Sequence, residues 1–222
     1  MMAPAQTALR VPAAPYEWPP FGPIERDRAA LLVIDCQQVQ TQRLGAPGMV
    51  DVVEAIETAI AGARDAGLRV VHARQGERPE IVAASARRAG ADPAAGIGEA
   101  ALVRGDDAWQ FLSRCTPAAG EVVVEHPGRD VFHASDLDLI LRTLGVTHLV
   151  LAGLSADGAV HATMRSANDR GLDCLLLDDA VRATDPGRYG DACISMTTMQ
   201  SGIFGAACAA RTFAAALAGA SD

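Results

Sequence analysis

The chain has 222 residues, half of them apolar but only 4% aromatic, a length that suits one domain with a core of mainly aliphatic side chains. A formal net charge of −8 without a stripe of lysine and arginine argues against nucleic-acid binding. Five cysteines without C-x-x-C spacing indicate free thiols in a reducing cytoplasm, and no apolar run approaches the ~20 residues of a membrane span.

The chain begins with an arm, residues 1–23, followed by a single domain, residues 24–222. The arm is rich in proline and alanine and contains three aromatic residues, Tyr16, Trp18 and Phe21. We expect these aromatic side chains to anchor the arm on the surface of the domain or on a neighbouring subunit.

The domain alternates apolar runs with segments of helical periodicity. Six runs predict strands: Ala29–Asp35, Leu68–Ala73, Glu121–Glu125, Leu149–Ala152, Cys174–Leu177 and Ile203–Ala206. Four helices are predicted between or after them: Met49–Ala66, Asp136–Leu144, Arg188–Gln200 and an alanine-rich helix at the end of the chain. This alternation predicts an α/β fold, a doubly wound parallel sheet with helices on both faces.

Two segments interrupt this regular pattern. Residues 74–119 contain many glycine, proline and charged residues, which is typical of a long excursion that faces substrate. Asp178 and Asp179 follow the fifth predicted strand, and we expect them to serve a turn and the start of a helix rather than catalysis.

The stretch Leu149–Gly171 combines a strand, a tight turn and a further helix that begins near Ala159. Backbone N–H groups at such a helix N-terminus can stabilise an oxyanion, which makes Gly158 and Ala159 candidate donors. Alanine has no reactive side-chain atom. A nucleophile that belongs to the side chain at position 159 is therefore excluded.

Ligands of doubly wound sheets bind beyond the carboxyl ends of the strands. This rule brings together Asp35 after the first strand, His126 after the third, and the turn Ser155–Ala159 after the fourth. An acid, an imidazole and a helix N-terminus would then meet in one crevice. The pattern predicts an acid/base site in which Asp35 and His126 are the catalytic residues.

Several motifs resemble the isochorismatase-like (cysteine) hydrolase superfamily, and within it biuret hydrolases and related ureido amidohydrolases. They occur in the family's order: YEWPPFGPI, LLVIDCQ, HARQGERPE, VRGDDAW, HPGRDVF, SDLDLILRTLG, TMRSANDRGLDCLLLDDA, ATD and MQSGIFG. The resemblance covers about Pro15 to Leu217. It implies the isochorismatase-like fold, a small-molecule substrate and a homo-oligomer, either a dimer or a tetramer.

The resemblance also implies a catalytic triad of aspartate, lysine and cysteine. Asp35 matches the aspartate, whereas His126 stands at the lysine position and Ala159 at the cysteine position. The covalent thiol mechanism of the family is therefore impossible at this site. Cys36 is a weaker candidate for a displaced nucleophile, because neighbouring residues of a strand point to opposite faces.

Three further residues are candidates for substrate binding through the resemblance. Gln40 replaces an aromatic residue that usually lines the pocket, while Arg74 and Gln200 agree with the biuret hydrolase pattern. Some superfamily members carry an Asp/His/His metal cluster. This chain has no closely spaced histidine pair after the second strand, so we predict neither a metal nor a cofactor.

Two functions fit these observations. The first is an enzyme that acts on a small amide, ureido or related polar metabolite by non-covalent acid/base chemistry. The second is a pseudoenzyme that binds a small ligand or a partner subunit without turnover. We favour the enzyme, because the remainder of the pocket pattern is intact.

Overall fold

The computed structural model describes residues 8–43, 48–88 and 102–219, without the side chains of residues 41–43 and 84–88. The first seven residues of the predicted arm and the middle of the predicted excursion lie outside the described residues. So do the last three residues of the predicted domain.

Six strands and seven α-helices alternate along the described chain. The strands are β1 (Ala29–Ile34), β2 (Arg69–Gln75), β3 (Val122–His126), β4 (His148–Leu154), β5 (Asp173–Arg182) and β6 (Ala206–Cys208). The helices are α1 (Gln38–Arg43), α2 (Met49–Asp65), α3 (Pro79–Arg88), α4 (Leu137–Thr143), α5 (His161–Asp169), α6 (Asp191–Gly202) and α7 (Ala210–Ala218).

The six strands form one sheet in the order β3-β2-β1-β4-β5-β6, and all neighbouring pairs are parallel. The predicted doubly wound α/β fold is therefore confirmed. The chain winds outward in one direction from β1 to β3 and in the other from β4 to β6. The switch between the two directions lies between β1 and β4, where the carboxyl ends of neighbouring strands open a crevice.

Alternation along β1 divides the apolar core into two layers. Leu31 and Val33 pack in a cluster with side chains of α2 and α7. Leu32 and Ile34 pack in a second cluster with side chains of α4, α5 and α6. All four are at most 1% exposed, and full burial of an aliphatic side chain of this size stabilises the fold by about 1.5–3 kcal/mol. Helices cover both faces, which explains why the strand is apolar throughout.

The described part of the arm folds back onto the domain. Its backbone pairs with itself between Val11 and Trp18, and Ala14 forms a bridge to Ala207 of β6. Trp18 is fully buried in the α2/α7 cluster, whereas Phe21 is 95% exposed. Trp18 thus anchors the arm on this chain, and Phe21 does not.

The structure corrects the boundaries predicted near the C-terminus. Asp178 and Asp179 do not follow β5 but lie within it, because the strand continues to Arg182. Asp179 does contact a helix start, that of α7, where the Ala210 N–H donates to Asp179 Oδ1 at 2.7 Å. The last strand lies at Ala206–Cys208, later than predicted.

Within the predicted excursion, the described residues form α3 and two short 3₁₀ turns, Asp107–Trp109 and Ser113–Cys115. In the portion of the chain that the structure describes, no helix is both long and apolar enough to cross a bilayer.

Candidate active site

Asp35 occupies a tightly constrained position at the end of β1. Its backbone has a positive φ of 51°, a conformation that costs a non-glycine residue roughly 1–3 kcal/mol. The Asp35 N–H donates to the Ala73 carbonyl at 2.9 Å, which continues the pairing of β1 with β2. On the other side, a Cβ on Gly153 would lie 2.0 Å from the Ile34 carbonyl oxygen. Only glycine therefore allows the end of β4 to approach β1 this closely.

Asp35 and His126 are in direct contact, as the sequence predicted. His126 Nε2 lies 3.0 Å from Asp35 Oδ1, and the two side chains are 0% and 1% exposed. The other ring nitrogen of His126, Nδ1, lies 3.0 Å from the carbonyl oxygen of Gly128. Both ring nitrogens of His126 are thus engaged in hydrogen bonds within the protein.

These contacts determine the number of protons in the pair. A carbonyl oxygen only accepts hydrogen bonds, so Nδ1 of His126 must carry a proton and donate it to Gly128. A hydrogen bond between Nε2 and Asp35 Oδ1 then requires one more proton between these two atoms. The pair is either an imidazolium with a carboxylate or a neutral imidazole with a carboxylic acid, and its net charge is zero in both states.

A cavity of about 280 Å³ opens at the carboxyl ends of the strands. Most of the residues that line it have polar side chains, and the lining consists of Asp35, Gln40, Gln75, Arg129, Leu154, Ser155, Asp157, Gly158, Ala159 and Thr184. Gln40 is only 7% exposed, and its side-chain amide makes no hydrogen bond to any described residue. Asp35 Oδ2 likewise has no protein partner within the described ranges. Two buried polar groups are therefore available to a ligand.

The turn after β4 forms the wall of the cavity opposite Asp35. Residues Ala156–Val160 make one turn of π-helix that leads into α5, and such turns are frequent at functional sites. The Gly158 N–H donates to the Ser155 carbonyl at 3.2 Å. The Gly158 N–H therefore already has an acceptor in the protein, and its role as an oxyanion donor stays a prediction of the sequence. Among the described residues, the Ala159 N–H has no acceptor outside its own helical turn.

Asp157 is the second carboxylate of the cavity. Burial raises the pKa of Asp157, but hydrogen bonds from the Thr184 hydroxyl and N–H and from Ser155 outweigh this effect. The pKa of the carboxyl therefore lies below its ordinary value, and the group is an anion at neutral pH. The bond from the Thr184 N–H measures 3.0 Å.

The structure places three predicted site residues outside the cavity lining. His126 lies behind Asp35 and contacts it without lining the cavity. Arg74 donates to Glu125 at 2.8 Å and stacks over Trp109, 3.3 Å from the ring centroid. Gln200 is exposed near the end of α6 with a φ of 51°. The predicted substrate-binding roles of Arg74 and Gln200 are therefore not supported by their positions, because their side chains lie elsewhere.

Three lining residues with polar side chains were missed from the sequence, namely Gln75, Arg129 and Thr184, whereas Asp157 lies in the predicted turn but was given no role. The rule of strand ends would have found two of them, since Gln75 is the last residue of β2 and Thr184 follows the end of β5. Arg129 lies in the loop after β3, where no periodicity indicates which way a side chain points.

No cysteine lines the cavity within the described chain. Cys36 is buried in the α2/α7 cluster, where its hydrogen bond with Cys115 and then burial raise the pKa of its thiol. Cys193 lines a neighbouring groove that shares Asp157 and Gly158 with the cavity. Burial and then the charge of Asp157 raise the pKa of the Cys193 thiol, which disfavours the reactive thiolate. Over the described ranges, no three His, Cys, Asp or Glu side chains are placed to hold a metal ion.

A parallel sheet with an aspartate at its switch point and a helix N-terminus beside the cavity defines an α/β protein with a small-molecule site at the carboxyl ends of its strands. The chain belongs to the isochorismatase family, because residues 29–208 match the isochorismatase domain. The resemblance seen in the sequence is thus confirmed, as is the expectation of a hydrolase.

The relatives and structures similar to this chain agree with that assignment. Maleamate amidohydrolase of Pseudomonas putida is 31% identical over 191 residues, 78% of this chain and 86% of that protein. Ureidoacrylate amidohydrolase RutB of Methylorubrum extorquens is 26% identical over 199 residues, 81% of this chain and 78% of that protein.

Two solved structures share the fold. N-carbamoylsarcosine amidase from Thermoplasma acidophilum superposes with a TM-score of 0.66 at 26% identity, covering 82% of this chain and 96% of that one. A cysteine hydrolase from Pseudomonas syringae pv. phaseolicola superposes with a TM-score of 0.76 at 21% identity, covering 90% of this chain and 97% of that one. This second similarity concerns the fold alone.

Proposed function

We propose that this protein hydrolyses the C–N bond of a small amide or ureido compound with water as the nucleophile. Asp35 is the base that activates the water, and His126 is a cation that holds Asp35 in its charged form. The Ala159 N–H stabilises the oxyanion.

The type of substrate rests on the relatives and on the cavity. Maleamate amidohydrolase, ureidoacrylate amidohydrolase and N-carbamoylsarcosine amidase are all named as enzymes that cleave amide or ureido groups. The cavity of about 280 Å³ suits a small metabolite, and its polar lining suits a substrate rich in hydrogen-bonding groups.

The observation that carries the mechanism is the engagement of both nitrogens of His126. Because Nδ1 and Nε2 bond to Gly128 and Asp35, no ring nitrogen is left to exchange a proton with a substrate. His126 is thus a positioning residue. Its imidazolium form supplies the positive charge that, by the resemblance, lysine supplies elsewhere in the family.

The reaction then needs one mobile proton. Asp35 Oδ2 accepts a proton from water as the water oxygen bonds to the amide carbonyl carbon, and the carbonyl oxygen becomes an oxyanion at the Ala159 N–H. Asp35 next returns the proton to the amide nitrogen. The C–N bond breaks, and the products are an amine or ammonia and the acid.

The missing thiol fits this scheme. Ala159 is 5% exposed and lines the cavity, so its short side chain leaves room beside its own N–H. A water molecule there would lie between an oxyanion donor and the wall that carries Asp35. Binding without turnover is the weaker alternative, because relatives named amidohydrolases do not favour it and Asp35 Oδ2 is left free for chemistry.

The test is ammonia release from a panel of maleamate, ureidoacrylate, biuret and N-carbamoyl amino acids. We expect turnover of at least one compound, and a loss of about a hundredfold or more in kcat for Asp35→Asn. Asp138→Asn serves as the control, since Asp138 is an exposed carboxylate on α4 that pairs with Arg142. Equal activity of Asp35→Asn and the native protein would refute the proposal.

Two further statements stay predictions of the sequence. We expect a homo-oligomer, dimer or tetramer, and a cytoplasmic location in keeping with the five unpaired thiols. Mass measurement in solution tests the first, and fractionation of the source cells tests the second.

A further inference from the structure

Arg129 is the one cation among the residues that line the cavity within the described chain. It lies in the loop that follows β3, three residues beyond His126, and its side chain is exposed. No described residue offers it a hydrogen bond or an ion pair. The nearby arginines differ, because Arg74 and Arg104 both bind the carboxylate of Glu125, at 2.8 and 2.9 Å.

The two carboxylates of the cavity are already satisfied inside the protein. Asp35 shares a proton with His126, and that pair has no net charge. Asp157 accepts hydrogen bonds from the hydroxyl and the N–H of Thr184. The cavity lining thus carries one negative charge, on Asp157, and one positive charge, on Arg129, and of the two only Asp157 has hydrogen-bond partners among the described residues.

We propose that Arg129 binds a carboxylate of the substrate, so that the preferred substrates are amide or ureido acids rather than neutral amides. This inference rests on the proposed function, since it assumes that the scissile amide binds at Asp35. Guanidinium groups bind carboxylates through two parallel hydrogen bonds, which fixes orientation as well as adding affinity. The carboxylate at Arg129 then directs the amide end of the molecule into the buried end of the cavity.

The buried end offers complementary groups. The amide of Gln40 has an N–H donor and a carbonyl acceptor without partners among the described residues, which suits the mixed donors and acceptors of an amide or ureido group. The cavity thus has a neutral, buried end beside Asp35 and a cationic end at Arg129.

The kinetic test compares maleamate with maleamide, which replaces the carboxylate by a second neutral amide. We expect Arg129→Gln to raise KM for maleamate about tenfold and to leave KM for maleamide unchanged. Arg129→Lys retains the charge and should raise KM for maleamate less than Arg129→Gln does. Arg142→Gln is the matched control, because Arg142 is an exposed arginine of α4. An equal effect of Arg129→Gln on both compounds, or none on maleamate, would overturn the inference.

A binding measurement separates this inference from the proposed function. If the native protein cleaves no compound of the panel, the proposed function fails, and titration calorimetry with maleate still tests Arg129. We expect maleate to bind the native protein at least tenfold more tightly than Arg129→Gln, with a difference that shrinks as salt is added. Equal maleate affinity of the two proteins, or no binding to either, would overturn the role of Arg129.

Discussion

His126 bridges two elements of the site: its Nε2 lies 3.0 Å from Asp35 Oδ1, and its Nδ1 lies 3.0 Å from the Gly128 carbonyl. The first contact connects the end of β3 with the end of β1, two strands away. The second determines which nitrogen must carry a proton. Together they make the ring a buried, fully engaged partner of Asp35, and a cation whenever Asp35 is ionised.

Replacement of His126 separates the effect of its charge from that of its hydrogen bonds. His126→Gln can still bond to Asp35 but carries no charge, and we expect kcat to fall about a hundredfold. His126→Lys restores a cation beside Asp35, and its kcat should stay within about tenfold of the native value. Steady-state kinetics on the best substrate of the panel provide the measurement.

His148→Gln is the control for these variants. His148 pairs with Asp173 at 3.3 Å at the opposite end of the sheet, so its loss should leave kcat unchanged. Thermal unfolding of each variant shows whether the fold survives. If His126→Lys and His126→Gln are both folded and equally inactive, the positive charge of His126 does not have the role assigned to it.

The thiols should not contribute to catalysis. Cys193 is the cysteine next to the cavity, and burial together with Asp157 raises the pKa of its thiol, which keeps it protonated at neutral pH. We expect Cys193→Ala and Cys36→Ala to retain at least half of the native kcat. Alkylation of the folded protein should likewise leave activity intact, as followed by mass spectrometry and ammonia release. Activity lost in step with modification of either thiol would indicate a covalent mechanism.

Rebuilding the family's triad tests how far the site has diverged. Ala159→Cys combined with His126→Lys places a thiol at a helix N-terminus beside a cation, and such neighbours lower a thiol pKa from ~8.5 towards neutrality. If the cavity was rebuilt for water attack, the double variant should lose the native reaction, because the thiol fills the space of the water. Retention of native turnover without any acyl-enzyme in the mass spectrum would contradict this.

The fold and the centre of the site were predictable because both follow from periodicity. Apolar runs separated by helices specify a doubly wound sheet, and the rule of strand ends then brings Asp35, His126 and Ala159 to one edge. The tight turn predicted within Leu149–Gly171 was also found, although β4 continues to Leu154 before the turn begins. Each of these inferences uses only the order of elements along the chain.

The errors arose at residues whose role depends on the direction of a side chain or on backbone hydrogen bonds, neither of which periodicity reveals. Arg74 has a residue type suited to substrates, but Glu125 on the neighbouring strand and the ring of Trp109 hold it elsewhere. The Ser155 carbonyl accepts from the N–H groups of both Gly158 and Val160, and no sequence pattern reveals this geometry of the turn. Gln200 is turned outward by a left-handed backbone near the end of α6.

A prediction on stability concerns Glu121, which lies just before β3. Its carboxylate accepts hydrogen bonds from Arg64 at 2.8 Å, His72 at 2.9 Å and the Ala118 N–H at 2.8 Å. The bond from Arg64 is the main reason that the pKa of Glu121 falls to about 2. Glu121→Gln should lower the free energy of unfolding at pH 7 by about 1–3 kcal/mol.

The effect of Glu121→Gln should depend on pH in a defined direction. The folded pKa lies below the unfolded one, so the stabilisation is fully present above about pH 4.5 and is lost as the pH falls towards 2. Urea unfolding at pH 7 and pH 3 measures the difference between native and variant. Glu54→Gln, at an exposed glutamate of α2, is the control. A larger difference in the free energy of unfolding at pH 3 than at pH 7 would contradict the stabilising role of the Glu121 carboxylate.

The protonation state of His126 tests the central claim most directly, because the mechanism requires an imidazolium beside an ionised Asp35. ¹⁵N NMR of protein labelled in histidine reports whether each ring nitrogen carries a proton, and His126→Gln identifies the signals. We predict that both Nδ1 and Nε2 of His126 are protonated at neutral pH and that Asp35→Asn removes the proton from Nε2. A bare Nε2 in the native protein at neutral pH would contradict the account, because Asp35 would then hold the proton and could not act as the base.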